Sequence, residues 1–316
     1  MHASFSLPTE PGTRFAFDLA RGLRERPKRV SPKYFYDEAG SALFDAICDL
    51  DEYYLTRTEL AILHTELGAL VEGVGSHLRV VELGSGSGNK TRALLDALDR
   101  PSEYLAVDVS IAPLETSARA LRQSYPALRV IPVCADFTTP FSLPQSRAHG
   151  TLVYFPGSTI GNLPPSEAIE LLRRVRQACG KCMMIVGVDL KKDAARLHAA
   201  YNDRNGVTAA FNKNVLARAN REIGADFDLD AFSHYAFYSP VRGRIEMHLI
   251  SSKEQRVHFS NERFDFAPGE TLLTEYSYKY TRQELEGIGA SGGFRVAVWK
   301  TDPRGDFAVT LLQSSA

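Results

Sequence analysis

The sequence predicts an α/β protein: a largely parallel sheet covered by helices, interrupted by an inserted α+β segment. Three observations carry this. Between residues 60 and 190, short apolar runs with strand character alternate with segments of helical period. A glycine-rich stretch, Glu82-Leu83-Gly84-Ser85-Gly86-Ser87-Gly88-Asn89-Lys90, joins one such run to the helical segment after it. Beyond residue 193 the alternation stops, and helices give way to a series of apolar–polar strands.

Taken in order, strands are expected at 78–83, 104–109, 129–133, 151–155 and 183–188, with helices at 58–71, 90–99, 111–123 and 165–177. Connections of this kind carry the chain back over the sheet, so successive strands run parallel. Residues 193–223 read as two helices joined around Asn205-Gly206, and 232–239, 243–252 and 256–260 as strands. The last two runs, Phe294 to Lys300 and Asp306 to Leu312, flank the turn Asp302-Pro303-Arg304-Gly305. They read as an antiparallel hairpin on the edge of the parallel sheet. We therefore expect one domain at 57–192 with 280–316, and a second, substrate-binding domain at 1–56 with 193–279.

Composition narrows the function classes. With 316 residues, 44% of them apolar, the chain can bury a large core. Lys and Arg number 37 against 38 Asp and Glu, so no global field draws the protein to nucleic acid or an anionic membrane. A small-molecule partner and a monomer are expected. The opening Met1-His2-Ala3-Ser4-Phe5-Ser6-Leu7-Pro8 lacks a basic segment followed by an apolar one, and no apolar run approaches a membrane span, so a cytoplasmic location is expected. The cysteines, Cys48, Cys134, Cys179 and Cys182, are too few for a disulfide framework. Cys179-Gly180-Lys181-Cys182 closes a helix instead of opening one, which argues against a redox pair, and the histidines show no zinc spacing. No metal is expected.

The glycine stretch carries the chemistry. A dinucleotide fingerprint would place a small residue at 89 and a phosphate-cradling loop would place glycine there, yet the residue is Asn89. Glu82 adds negative charge where a phosphate would be repelled and a cation favoured. S-adenosylmethionine, a nucleoside bearing a sulfonium and an amino group, fits that polarity. Two further strand ends agree. Asp108 closes Tyr104-Leu105-Ala106-Val107-Asp108 and can accept from two ribose hydroxyls. Asp136 and Phe137 follow Val130 to Ala135, offering an acceptor for an adenine amino group and a ring to stack on it.

Read together, several motifs resemble a known family: Tyr34-Phe35-Tyr36-Asp37, Glu52-Tyr53-Tyr54-Leu55-Thr56-Arg57-Thr58-Glu59, the glycine stretch, Phe155-Pro156-Gly157-Ser158-Thr159-Ile160-Gly161-Asn162, Val207-Thr208-Ala209-Ala210-Phe211-Asn212, Ile245-Glu246-Met247 and Thr274-Glu275-Tyr276-Ser277. Over about residue 30 to the C-terminus the chain is similar to the histidine-specific, S-adenosylmethionine-dependent Nα-methyltransferases of ergothioneine biosynthesis. The resemblance implies a class I methyltransferase (Rossmann-like) sheet and three methyl transfers to the α-amino nitrogen of L-histidine, giving hercynine. It implies S-adenosylmethionine contacts from Tyr36, Gly84, Gly86, Lys90, Asp108, Asp136 and Phe137. Histidine contacts are implied for Tyr53, Asn162, Tyr201, Met247, Glu275 and Ser277, with Asn162, Tyr36 and Gly157 nearest the chemistry. Tyr276 stands where some members carry a smaller residue, and Pro156 replaces a plain apolar residue, so pocket shape differs while the polar set is intact. Another amino acid or amine as substrate, and a non-catalytic cofactor-binding protein, are the alternatives.

Overall fold

A computed structural model describes residues 11–84, 88–109 and 111–315. The chain opens with helix α1 (Pro11–Arg24), the short strand β1 (Lys28–Arg29) and helix α2 (Glu38–Cys48). Then come α3 (Tyr54–Val71), β2 (Arg79–Leu83), α4 (Asn89–Ala97), β3 (Glu103–Asp108), α5 (Ile111–Ser124), β4 (Arg129–Cys134), β5 (Thr151–Phe155), α6 (Pro165–Cys179) and β6 (Met183–Asp189). The inserted segment holds α7 (Ala194–Tyr201), α8 (Val207–Ile223), β7 (Phe232–Ser239), β8 (Arg244–Ser251), β9 (Gln255–Phe259), β10 (Glu262–Phe266) and β11 (Thr271–Tyr278). The chain closes with α9 (Arg282–Gly292), β12 (Phe294–Thr301) and β13 (Phe307–Ser314).

These elements fall into two compact units, one drawn from Tyr54–Lys192 and Ser277–Ala316, the other from Met1–Tyr53 and Asp193–Tyr276. The first is built on a seven-stranded sheet of order β12-β13-β6-β5-β2-β3-β4. Strands β2 to β6 pair in parallel, and β13 runs antiparallel to both β6 and β12. The sheet therefore has the α/β character read from the sequence, with the terminal hairpin on its edge. Every residue of β2 is buried, as expected for a strand with helices on both faces. Helix α6 shows how those helices are held. Its Ala168, Leu171, Leu172 and Val175 recur at helical spacing and lie fully buried against Val153, Phe155 and Val186. Each such leucine contributes roughly 1.5–3 kcal/mol by burial.

The second unit contains a four-stranded sheet of order β1-β11-β8-β7 and the separate hairpin β9–β10. Its helix α8 buries Phe211, Val215, Leu216 and Ala219. Strand β7 pairs antiparallel with β8 over its full length, from Phe232 opposite Ser251 to Ser239 opposite Arg244.

Several elements lie outside the sequence expectations. Helix α3 starts at Tyr54, not 58, because Tyr54 and Leu55 belong to its buried face. Helices α1, α2 and α9 and strands β1, β10 and β11 were not expected from the sequence, although the buried Phe15, Leu19 and Leu23 of α1 recur at helical spacing and β10 alternates exposed Arg263 and Asp265 with buried Phe264 and Phe266. In β11 polar Thr274, Glu275 and Ser277 are buried together with Leu272 and Leu273, which erases the alternation.

Candidate functional site

The strand order of the large sheet reverses between β2 and β5, with β3 and β4 on one side and β6 on the other. A reversal of this kind leaves a crevice beyond the C-terminal strand ends, where ligands bind. Seven of the sequence-predicted residues stand at this edge. Gly84 follows β2 with φ +74°, a conformation that favours glycine, and its amide donates to the Val107 carbonyl at 2.9 Å. Asp108 ends β3 beside it, half-buried. Asp136 follows β4 and is buried, with Oδ1 accepting from the Thr138 amide at 3.0 Å and from the Thr138 hydroxyl. Part of its acceptor capacity thus closes its own turn. The Phe137 ring meets Phe155 edge-on at 5.6 Å between centroids and lies 3.9 Å from where a Gly84 side chain would begin. Gly86 is outside the described residues.

The other members of this edge are tied together by a group that sequence reasoning did not single out. Lys90, in the first turn of α4, is paired with the Glu59 carboxylate, and both Glu59 oxygens accept from the Gly157 amide at 3.0 Å. Gly157 (φ +78°) and Ser158 (φ +58°) turn the chain sharply after β5. The Asp189 amide donates to Ser158 Oγ at 2.9 Å, and the Thr159 hydroxyl donates to the Pro156 carbonyl at 2.9 Å. Held in this way, the short 3-10 turn Thr159–Asn162 presents a half-buried Asn162.

Asp189 is the centre of a second buried network in the same unit. Its carboxylate is fully buried and accepts from the Tyr54 hydroxyl at 2.8 and 2.9 Å, from Lys279 Nζ at 2.7 Å and from Lys192. Burial pushes the Lys192 ammonium below its usual range, while Asp189 pulls it back up. Lys279 also donates to Ser277 Oγ at 2.9 Å. An ammonium cannot accept, so the Ser277 oxygen is the acceptor in that contact.

Glu82 requires a correction. The sequence placed its charge at the mouth of the glycine loop. Its side chain is instead buried within the sheet, and Oε2 accepts from the Thr91 and Tyr104 hydroxyls at 2.7 Å each. Burial raises its pKa to about 7, against the lowering effect of those two hydrogen bonds and of Lys90.

In the other unit, Tyr36, Tyr53, Tyr201 and Glu275 are near neighbours. Tyr53 and Tyr201 meet edge-on at 6.3 Å between centroids. Burial drives the Tyr53 phenol well above 10, and Tyr201, Tyr36 and Glu275 add to the effect. Tyr53 is therefore a hydrogen-bond donor throughout the physiological range. Tyr201, at the end of α7, is fixed from behind. Asn212 Nδ2 donates to His234 Nδ1 at 2.9 Å, and His234 Nε2 donates to the Tyr201 carbonyl at 2.9 Å. That chain requires a neutral imidazole, and burial lowers the His234 pKa accordingly. Glu275 is buried in β11, while Met247 is buried in β8 and accepts from the Thr274 hydroxyl at 3.0 Å through its carbonyl. Tyr276 points to the opposite face of β11 from Glu275, and the Arg244 guanidinium lies over its ring at 3.5 Å.

Glu59, Asp189 and His234 are the functional neighbours that sequence reasoning missed. A signal existed for Glu59. It stands four residues after Leu55 on the buried face of α3, where an unpaired carboxylate would be costly.

Known proteins resemble this chain over most of its length. The family model described as "Histidine-specific methyltransferase, SAM-dependent" matches residues 15–314. The chain is 43% identical over 302 residues to a histidine N-alpha-methyltransferase of Mycolicibacterium smegmatis, covering 93% of each chain. It is 41% identical over 301 residues to the protein of that name in Mycobacterium tuberculosis, again covering 93% of each. Ergothioneine biosynthesis protein 1 of Neurospora crassa is 29% identical over 300 residues, a match spanning 87% of this chain and 32% of that one. Among solved structures, the CcbJ methyltransferase of Streptomyces caelestis aligns with a TM-score of 0.46 at 17% identity, covering 79% of this chain and 94% of that one.

Proposed function

Because the chain belongs to the family of histidine-specific, S-adenosylmethionine-dependent methyltransferases, we propose that it methylates the α-amino nitrogen of L-histidine three times. The product is hercynine, an intermediate of ergothioneine biosynthesis. The observation that carries this reading is the family match over residues 15–314, accompanied by a complete set of polar residues for both ligands.

The cofactor residues fit the group chemically. Gly84 admits close backbone approach, Asp108 offers acceptors to a ribose, and Phe137 offers a ring face to an adenine. Asp136 can accept from the adenine amino group, and Lys90, Tyr36 and Gly157 complete the set. When bound, S-adenosylmethionine supplies a methyl group on a sulfonium, which leaves as a neutral thioether. The protein's own work is alignment of a neutral amine, and that is a matter of proximity and orientation.

Asn162 holds the amino end of the substrate through its amide. Tyr53 and Tyr201 donate to the substrate carboxylate, in keeping with the raised pKa of Tyr53. Glu275 accepts an imidazole N–H, Ser277 bonds the other ring nitrogen, and Met247 packs against the ring. The nitrogen loses one proton before each of the three transfers, since every transfer needs a neutral amine and leaves an ammonium; the quaternary product has no proton left to lose. A phenol held well above 10 is a poor base, so those protons leave through solvent. The enzyme acts as a monomer on a free amino acid and not on nucleic acid, in line with its balanced charge. The cytoplasm is its proposed compartment, and its four free cysteines suit a reducing environment.

The test is incubation with S-adenosylmethionine and a panel of amino acids, followed by mass spectrometry. Histidine is expected to gain one, two and then three methyl groups. Methylation of another amino acid in preference to histidine would overturn the assignment.

A further inference from the structure

We infer that Glu59 is a positioning residue for the cofactor edge, holding the Lys90 ammonium and the Gly157 amide in one fixed arrangement. The inference rests on the reading of Lys90 and Gly157 as cofactor residues. Glu59 is 1% exposed and sits among leucines on the inner face of α3. Burying a carboxylate there costs several kcal/mol unless its partners compensate, so packing alone does not account for it. Its partners are all at the strand-reversal edge. Both oxygens take the Gly157 amide at 3.0 Å, Oε2 takes Lys90, and Lys90 Nζ stands 3.7 Å from where a side chain on Gly157 would begin.

The sheet is shaped around this carboxylate. Gly187 lies in the middle of β6, where glycine weakens a strand. A Cβ at that position would stand 3.0 Å from Glu59 Cδ and closer still to Oε1, as well as 3.1 Å from the Phe307 ring. The missing side chain is the space that Glu59 occupies. With the carboxylate in place, the four-carbon stem of Lys90 is held in one conformation before any ligand arrives. A free lysine would lose that freedom on binding, at a cost in affinity. The only anionic group of S-adenosylmethionine is its carboxylate, and the pre-set ammonium is a cation suited to meet it. Pinning the Gly157 amide also fixes the start of the turn that carries Asn162. Glu59 acts through these two groups and touches no reacting atom.

The experiment is calorimetric titration of S-adenosylhomocysteine into the full-length wild-type protein and Glu59→Gln, Lys90→Met, the double variant, Gly187→Ala and Asp108→Ala. Glutamine keeps an acceptor for the Gly157 amide and removes the charge that holds Lys90. Its Kd is expected to rise about tenfold or more. The double variant is expected to bind no worse than Lys90→Met alone, because the two residues act as one unit. Gly187→Ala displaces the carboxylate without altering it and is expected to weaken binding in the same direction; it serves as the second route should Glu59→Gln not fold. A purely structural glutamate would lower the Tm of Glu59→Gln and leave its Kd near the wild-type value, which overturns the proposal. Independent, additive losses from Glu59 and Lys90 overturn it as well. If Asp108→Ala weakens binding while Lys90→Met does not, the cofactor reading stands and the role of Glu59 falls. If neither matters, the cofactor reading itself has failed.

Discussion

Glu275 is the charged member of a set that otherwise consists of Tyr53, Tyr201, Asn162, Met247 and Ser277, and it is buried. A buried carboxylate discriminates strongly, since an apolar side chain placed against it leaves the charge unpaired. Glu275→Ala is expected to cost ~2–5 kcal/mol in kcat/KM for histidine and to reduce the bias against phenylalanine and tryptophan. S-adenosylhomocysteine affinity is expected to stay the same; steady-state kinetics on the three amino acids, with calorimetry for the cofactor, check both statements. An intact histidine preference in the variant would show that this carboxylate does not read the imidazole. At the other ligand, Asp108→Ala removes a two-point ribose contact and is expected to weaken S-adenosylhomocysteine binding by ~1–3 kcal/mol, read by the same calorimetry. The residues assigned to ligands were legible because their chemistry stands in motifs. Those behind them, such as His234 under Tyr201 and Asp189 under Ser158, were not, because hydrogen bonds between distant segments leave no local pattern.

Among the elements, the buried parallel strands β2, β3 and β5 were readable as apolar runs because helices cover both of their faces. Strand β11 was hidden for the opposite reason: its buried residues include the polar Thr274, Glu275 and Ser277, which break its alternation. Helix α9 was missed although its start is written in the sequence. Thr281 Oγ1 accepts from the Glu284 amide at 3.2 Å, and a Glu284 carboxylate oxygen accepts from the Thr281 amide at 2.8 Å, a reciprocal cap. The pattern Thr-x-x-Glu was the available signal. Thr281→Ala is expected to lower stability by about 1 kcal/mol in urea denaturation while leaving cofactor affinity unchanged. A change in cofactor affinity would mean that α9 communicates with the strand edge through the core it shares with Phe155 and Ile160.

At the scale of the whole molecule, one buried group, Glu82, makes a distinct contribution to the pH dependence of stability. Burial raises Glu82 from 4.5 to about 7, so the folded protein keeps a proton that the unfolded chain releases across that window. The stability associated with the protonated form is complete below about pH 4.5 and declines as the pH rises toward 7. Above 7 the loss is complete, and the size of the shift corresponds to roughly 3 kcal/mol. Glu82→Gln keeps an oxygen that can accept from Thr91 and Tyr104 and cannot ionise. Its stability relative to the wild type is therefore expected to climb between pH 5 and 7 and then level off. Trp299 is the single tryptophan and lies in β12 of the same sheet, so its fluorescence reports unfolding of the unit that contains Glu82. Urea denaturation of both proteins at a series of pH values gives the difference curve directly. A difference that stays constant with pH would mean that Glu82 titrates as it does in the unfolded chain, and that its two hydroxyl partners and Lys90 offset the cost of its burial in full.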